Sequence, residues 1–413
     1  MTSQNSALEI GNARSAETTW DIVYFPLGAA AFGGAERSLL ELATAQQAKG
    51  LRVLVCFEPA LKNTDFIREA TARRLQLQHV DWAPENDLGA VARAAWKFFR
   101  QLDTRLIHFN ISWRRHMWLV PLIARMATGA GLLGSMRAIP NRYDDIPRRR
   151  YLGFIPGLRL WVLPDLFIGR IWARTLHITV SVNRDSFPPR LVNEFGFLPD
   201  RLRVIYNGVP IPDTMPSMVD RLHAKIRLGY DAESILVAYV GRISQEKGVR
   251  YAIDAIADCS PHVHLVIAGE GDQLDELKSH AAATGLTSRV RFIGYVSDPI
   301  SIFSAADIVV VPSLWNEAFG RVVVEAMACG AVVVATAVGG MQEIFANGKE
   351  GILIEKADAR AIASTIEHLC NDRSSLMRLS LAGRQLAETR YATKRVAADY
   401  GAIYSELLEA IQS

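Results

Sequence analysis

Two glutamates, Glu317 and Glu325, stand eight positions apart in the stretch NEAFGRVVVEAMACG at 316–330. On one continuous helix, at about 1.5 Å rise per residue, they would lie roughly 12 Å apart along the axis. The carboxylate pairs of glycosidases sit about 5–9.5 Å apart, so this spacing argues against a hydrolytic pair. If the helix instead starts near Gly320, after the turn-capable Ala-Phe-Gly, its first N–H groups can hold an anion such as a diphosphate. The two acids then flank that anion and accept hydrogen bonds from hydroxyls on either side. A phosphate between two polyols describes a nucleotide-sugar.

Cations that could neutralise a diphosphate occur in GRISQEKG at 241–248, where Arg242 and Lys247 are five residues apart. A guanidinium offers a planar fork of donors and an ammonium a point charge. The same loop also reads as a solvated turn with exposed charges. Near the other end of the chain, GGAER at 33–37 follows one apolar run and opens a helical one. Its glycines, Gly33 and Gly34, allow positive φ and close approach of a ligand to the backbone, or simply serve a tight turn. His108 and Asn110 end the apolar run LIHFN, and Arg137 follows LLGSM. Both His108 and Arg137 are acceptor-side candidates, against a purely structural role for either. GEGD at 269–272 is assigned no chemistry, with Asp272 expected to cap the next helix.

The elements that must position these residues alternate. The run DIVVV at 307–311 is short, β-branched and closed by Pro312 and Ser313, as a buried parallel strand should be. Similar runs at 20–26, 51–57, 235–241, 264–269, 289–294 and 331–336 are separated by helical patterns. Strands alternating with helices imply parallel sheets covered on both faces. Glycine and three prolines in NGVPIPDTMP at 207–216 break the pattern and mark a hinge candidate. Two doubly wound domains joined there would meet across the carboxyl ends of their strands, where such sheets bind ligands.

At 413 residues and 50% hydrophobic composition the chain can build two substantial cores. Its net charge of +3 conceals an asymmetry: residues 1–210 carry about 27 Lys/Arg against about 18 Asp/Glu, and the remainder is acidic. Four scattered cysteines in no CxxC or Cys/His cluster give little support to disulfides or zinc. Residues 1–19 are polar with no apolar signal core and read as a flexible leader. The segment 137–174 mixes arginines with Trp, Tyr, Phe and Leu. Internal Arg159, Asp165 and prolines exclude a transmembrane helix there. The segment reads either as an interfacial surface among anionic headgroups or as an arginine-bordered helix pair. Nucleic acid is the poorer partner, since no binding motif accompanies the charge.

Taken together, GGAER, GR followed by EKG, the glutamates with seven residues between them, and then Val338-Gly339-Gly340 and Glu343 resemble the retaining glycosyltransferases of the GT-B fold, family 4. The resemblance runs from about residue 20 to 400 with the motifs in order. It implies an α/β chain of two Rossmann-like domains facing each other across a cleft. Residues 20–210 with 400–413 would bind the acceptor and 211–399 the nucleotide-sugar. It further implies that Arg242 and Lys247 hold the donor diphosphate and stabilise the departing nucleotide. Glu317 would bind sugar hydroxyls with help from the backbone at Phe319 and Gly320, Arg321 and Val322 would lie at the phosphate end of the helix, and Glu325 would grip the ribose. Gly33 and Gly34 would approach from the first domain and Tyr295, after Gly294, would contact the base. Many members carry a histidine where this chain has Arg137, which leaves the acceptor side open. The expectation is a cytoplasmic hexosyltransferase, peripheral on the cytoplasmic membrane face, using UDP in preference to GDP and no metal or other cofactor. Its acceptor would be lipid-linked or a surface polysaccharide. A nucleotide-sugar epimerase of similar fold and a non-catalytic nucleotide-sugar sensor are the alternatives.

Overall fold

A computed structural model of the chain describes residues 19–29, 32–82, 87–113, 115–139 and 163–412. The expected leader, apart from Thr19, and the greater part of the 137–174 segment lie outside them. The chain divides into two compact units, Met1–Tyr206 with Val396–Ser413, and Asn207–Arg395.

The first unit is built on seven strands: β1 (Trp20–Phe25), β2 (Val53–Phe57), β3 (Gln76–His79), β4 (Thr104–Ile111), β5 (Gly131–Met136), β6 (Ile178–Ser181) and β7 (Leu202–Val204). They lie in the order β3-β2-β1-β4-β5-β6-β7. Every pairing is parallel. The apolar run of β2 is buried along its whole length, as expected for a strand covered on both faces. The half-polar QLQH of β3 stands at the sheet edge, where partial exposure tolerates it. The chain leaves β1 toward β2 and β3, then returns to place β4 on the other side of β1. That reversal opens a crevice outside the carboxyl ends of β1 and β4.

The helix Thr393–Gln412 closes this unit by setting Val396, Tyr400, Ile403, Tyr404 and Leu407 into the core at helical spacing. Its two tyrosines end in a buried polar chain. Tyr24 Oη lies 3.1 Å from Tyr404 Oη, which lies 2.7 Å from His108 Nδ1. His108 Nε2 is 2.7 Å from Ser135 Oγ, and Ser135 Oγ is 2.9 Å from Tyr400 Oη. Satisfying each group this way removes the cost of burying it.

The second unit repeats the architecture with β8 (Ile235–Val240), β9 (Val263–Ala268), β10 (Val290–Gly294), β11 (Ile308–Val311), β12 (Val332–Thr336) and β13 (Ile352–Ile354). The order is β10-β9-β8-β11-β12-β13, again all parallel. Here the reversal falls between β8 and β11. At the amino end of β11, Asp307 is buried against Lys225 at 2.6 Å and accepts from the Leu236 amide at 2.8 Å. Lys225 also donates to the Ser234 carbonyl at 2.9 Å, so the buried ammonium has two acceptors. The segment that opens the unit is held to the segment that closes it: the Val209 amide donates to Tyr391 O at 2.8 Å and the Thr393 amide to Val209 O at 3.0 Å.

Candidate functional site

The loops that follow β8 and β11 meet at the reversal point of the second sheet. Two hydrogen bonds and a close backbone approach fasten them. The Leu314 amide and Ser313 Oγ both donate to Glu246 O, at 2.8 and 3.2 Å. Thr336 Oγ1, at the end of β12, donates to Ser313 O at 2.6 Å. Gly248 has φ +64°, and a Cβ there would stand 2.1 Å from Pro312 O, so no other residue fits without moving the strand end. The loop after β12 adds a second such contact. Gly339, at φ +53°, brings its backbone where a Cβ would lie 2.4 Å from Glu317 O, and the Gly340 amide donates to that oxygen at 2.7 Å.

This framework brings Lys247 and Glu317 together. Lys247 Nζ lies 2.5 Å from Glu317 Oε1, and Ser313 Oγ donates to the same oxygen at 2.9 Å. The two charged side chains are 26% and 18% exposed, so both reach solvent or a ligand. Arg242 is 70% exposed and lies 3.8 Å from Glu246, a loose pair from which the guanidinium can swing. Burial works against ionisation of Glu246, but its own backbone N–H, Arg242 and Lys247 hold the carboxyl below its ordinary range.

The helix expected to start near Gly320 is Arg321–Ala328, with Gly320 as its N-cap at φ +90°. Glu317 therefore sits in the loop and Glu325 in the second turn. Arg321 Nε donates to Glu325 Oε1 at 2.6 Å, and Arg321 Nη1 to Gly208 O at 3.1 Å. A cation in the first turn opposes the helix dipole, and this one is spent on orienting Glu325 and holding the opening segment of the unit. Val322 is half-buried beside it. Phe319 is buried edge-on against Tyr391, with ring centroids 5.6 Å apart. Tyr295 is 53% exposed beyond the end of β10, two strands out from β8 and so about 10 Å from the reversal point. The helix Leu274–Ala283 is capped at Gln273 without a side-chain bond, so Asp272 does not cap it.

In the first unit, Gly33 is the N-cap of the helix Gly34–Gln47 and has extended backbone, φ −150°. The positive φ expected of this glycine pair is not used at Gly33. Its amide donates to Glu36 Oε2 at 3.0 Å. Burial raises the Glu36 carboxyl, opposed by that amide and by Arg137. Arg137 Nε donates to Asn110 Oδ1, and Asn110 Nδ2 to Ala35 O at 3.3 Å. Glu36, Asn110 and Arg137 thus share the reversal point of the first sheet. His108 is fully buried with both ring nitrogens engaged, and burial, then Arg137, depresses its basicity well below the ordinary imidazole value. Ligand contact by His108 would require breaking one of those bonds.

Sequence reasoning passed over Ser313, treated only as the end of a strand, and Glu36, treated only as part of a motif. The signal for Ser313 is its position, first polar residue after the strand that precedes Glu317.

Residues 221–386 match the family model for "Glycosyl transferases group 1". A D-inositol 3-phosphate glycosyltransferase of Mycolicibacterium vanbaalenii is 35% identical over 237 residues, 53% of this chain and 52% of that protein. An uncharacterised glycosyltransferase of Methanocaldococcus jannaschii is 32% identical over 201 residues, 47% of this chain and 50% of that protein. The chain spans about half the length of the curated relatives it matches. Among solved structures, Anabaena HepE in complex with UDP and glucose superposes with a TM-score of 0.77 at 23% identity, covering 94% of this chain and 100% of that one. Sucrose-phosphate synthase from Thermosynechococcus elongatus gives 0.74 at 20% identity, covering 95% and 100%. The chain thus resembles the group 1 glycosyltransferases over residues 221–386, and its two parallel-sheet units have the GT-B fold.

Proposed function

We propose that the chain is a retaining hexosyltransferase that moves a hexose from a nucleotide-sugar, UDP in preference to GDP, to a lipid-linked or cell-surface polysaccharide acceptor. The observation that carries this reading is the Lys247–Glu317–Ser313 cluster at the reversal point of the second sheet, within the matched region. In the ligand-free chain Glu317 holds Lys247. An incoming diphosphate competes for that ammonium, and the released carboxylate then accepts from sugar hydroxyls. Arg242 swings from Glu246 to the same phosphates, and Glu325, oriented by Arg321, accepts from the ribose hydroxyls.

In the reaction the bond from the anomeric carbon to the phosphate oxygen breaks and a bond from that carbon to the acceptor oxygen forms on the same face. The acceptor's proton passes to the departing phosphate, leaving a glycoside and a nucleoside diphosphate. Lys247 and Arg242 stabilise the charge that develops on the leaving group. They supply the role a divalent cation has elsewhere, so the reaction is proposed to be metal-independent, and full activity in EDTA is the expected result. HepE was crystallised with UDP and glucose, and a Staphylococcus aureus protein, TarM, with UDP, which supports UDP as the nucleotide. The acceptor class and peripheral attachment to the cytoplasmic membrane face rest on the basic first half of the chain.

The test is incubation with UDP-hexose labelled in the sugar, with and without an acceptor-containing membrane fraction. Label should pass into a lipid-extractable or polysaccharide product with the anomeric configuration of the donor. Conversion of the donor sugar without acceptor would establish an epimerase instead, and saturable binding without transfer or hydrolysis a sensor.

A further inference from the structure

Six of the about 27 Lys/Arg in the first half of the chain lie on three neighbouring helices of the first unit. The helix Leu88–Gln101 packs against Leu119–Ala127, and that helix against Leu163–Thr175. Trp118, just before the second, meets Phe167 of the third with ring centroids 6.0 Å apart. On the first helix Arg93, Trp96, Lys97 and Arg100 fall at i, i+3, i+4 and i+7 and are all exposed, opposite the buried Val91, Ala95 and Phe99. The second exposes Arg125 and Met126, and the third exposes Phe167, Arg170 and Arg174 along one stripe. The only acid within the three helices is Asp165, which is buried and accepts from Trp113 Nε1 at 3.2 Å. Among the described residues, none of the six cations forms an ion pair.

Three large apolar side chains stand among these charges: Trp96 is 44% exposed, Met126 66% and Phe167 59%. Arg100 reaches over the Trp96 ring at 6.0 Å. Cations with no counter-charge, interleaved with an exposed indole, thioether and phenyl ring, match an anionic bilayer surface, where headgroups take the charge and the acyl boundary takes the rings. No helix among the described residues is long and apolar enough to cross a membrane. We propose that this three-helix face docks the chain on a membrane rich in anionic lipid. The inference rests on the membrane part of the proposed function and gives it a location.

The experiment is flotation of the full chain with vesicles of phosphatidylcholine alone and with added phosphatidylglycerol, at low and high salt. Binding should need the anionic lipid and fall with salt. Combining Arg93→Gln, Lys97→Gln and Arg100→Gln should weaken it about a hundredfold, at about fivefold per cation. Combining Met126→Ser and Phe167→Ser should weaken it while leaving the salt dependence in place. All five positions are exposed, and unchanged far-ultraviolet circular dichroism will confirm that the variants fold. Three results would overturn the proposal: a wild-type chain that ignores anionic vesicles at low salt, variants that bind like wild type, or a short DNA duplex that displaces the vesicles. The thermal shift with UDP, measured on the same samples, keeps the two readings apart. A retained shift without flotation sinks only the docking face, and flotation without a shift sinks only the donor reading.

Discussion

Replacing Lys247 by alanine should separate its proposed catalytic role from folding. The ammonium is 2.5 Å from Glu317 Oε1, and the two side chains are 26% and 18% exposed. An exposed pair contributes about 0–1 kcal/mol, and breaking a buried one costs about 3–5 kcal/mol. This pair lies between those limits, and Glu317 keeps the Ser313 hydroxyl at 2.9 Å. A loss of about 1–2 kcal/mol follows, a fall in Tm of roughly 2–8 °C for a domain of this size. The effect on turnover should be larger. A preorganised donor aimed at developing charge is worth about 100- to 1,000-fold in kcat, and in the proposed reaction the leaving diphosphate gains charge as its bond to the sugar breaks. An interaction that strengthens in the transition state lowers kcat more than it raises KM. The assay is initial-rate kinetics with UDP-hexose, beside calorimetric unfolding of the same preparations. Wild-type turnover in Lys247→Ala would refute the assigned role. A collapse of Tm well beyond this range would show that the lysine is chiefly structural.

Three further outcomes are expected. Asp307→Ala strands Lys225 in a site where both are buried, and denaturant titration should show a loss of about 3–5 kcal/mol in the second unit. Gly339→Ala places a methyl 2.4 Å from Glu317 O, so UDP affinity should drop while Asp307 and its partner, at the other end of the sheet, keep the unit folded; titration calorimetry reads the first and circular dichroism the second. The buried His108 has a depressed folded pKa, so below about pH 6.5 the unfolded chain binds a proton that the folded one refuses. Its contribution to stability is complete above that pH and is lost, at up to about 1.4 kcal/mol per pH unit, as pH falls toward the folded value. His177, lowered to about 4 by burial and then Arg125, adds in the same direction. A His108→Gln chain should show a shallower acid slope in Tm against pH, and an identical slope would contradict the assignment.

The sheets were legible in the sequence where strands are buried on both faces. The runs ILVAYV, VHLVIA and VVVAT admit few other readings, and they became β8, β9 and β12. β3, with two glutamines in QLQH, and the short β13, ILI, carry too little periodicity to announce themselves, and they stand at sheet edges where neighbours rather than composition decide. The helix beginning at Arg321 was legible because Gly320 interrupts the apolar pattern. What no spacing could disclose is contact between loops distant in sequence. Lys247 meets Glu317 because Gly248 admits Pro312 and Gly339 admits the Glu317 carbonyl, and neither glycine names its neighbour. The same holds for Arg321, whose guanidinium turns from the helix end to Glu325 and Gly208. His108 was visible as a histidine at a strand end, but its tyrosine partner arrives from a helix 296 residues later.

The most direct test of the central claim, that the loops after β8 and β11 hold a nucleotide-sugar, is the unfolding free energy of the chain as a function of UDP-hexose concentration. Wild type should gain about 2.7 kcal/mol at a free concentration one hundred times Kd, and Glu325→Gln and Lys247→Ala should reach that gain only at much higher concentration. A wild-type chain that no nucleotide-sugar stabilises, or one stabilised identically in all three proteins, would contradict the account.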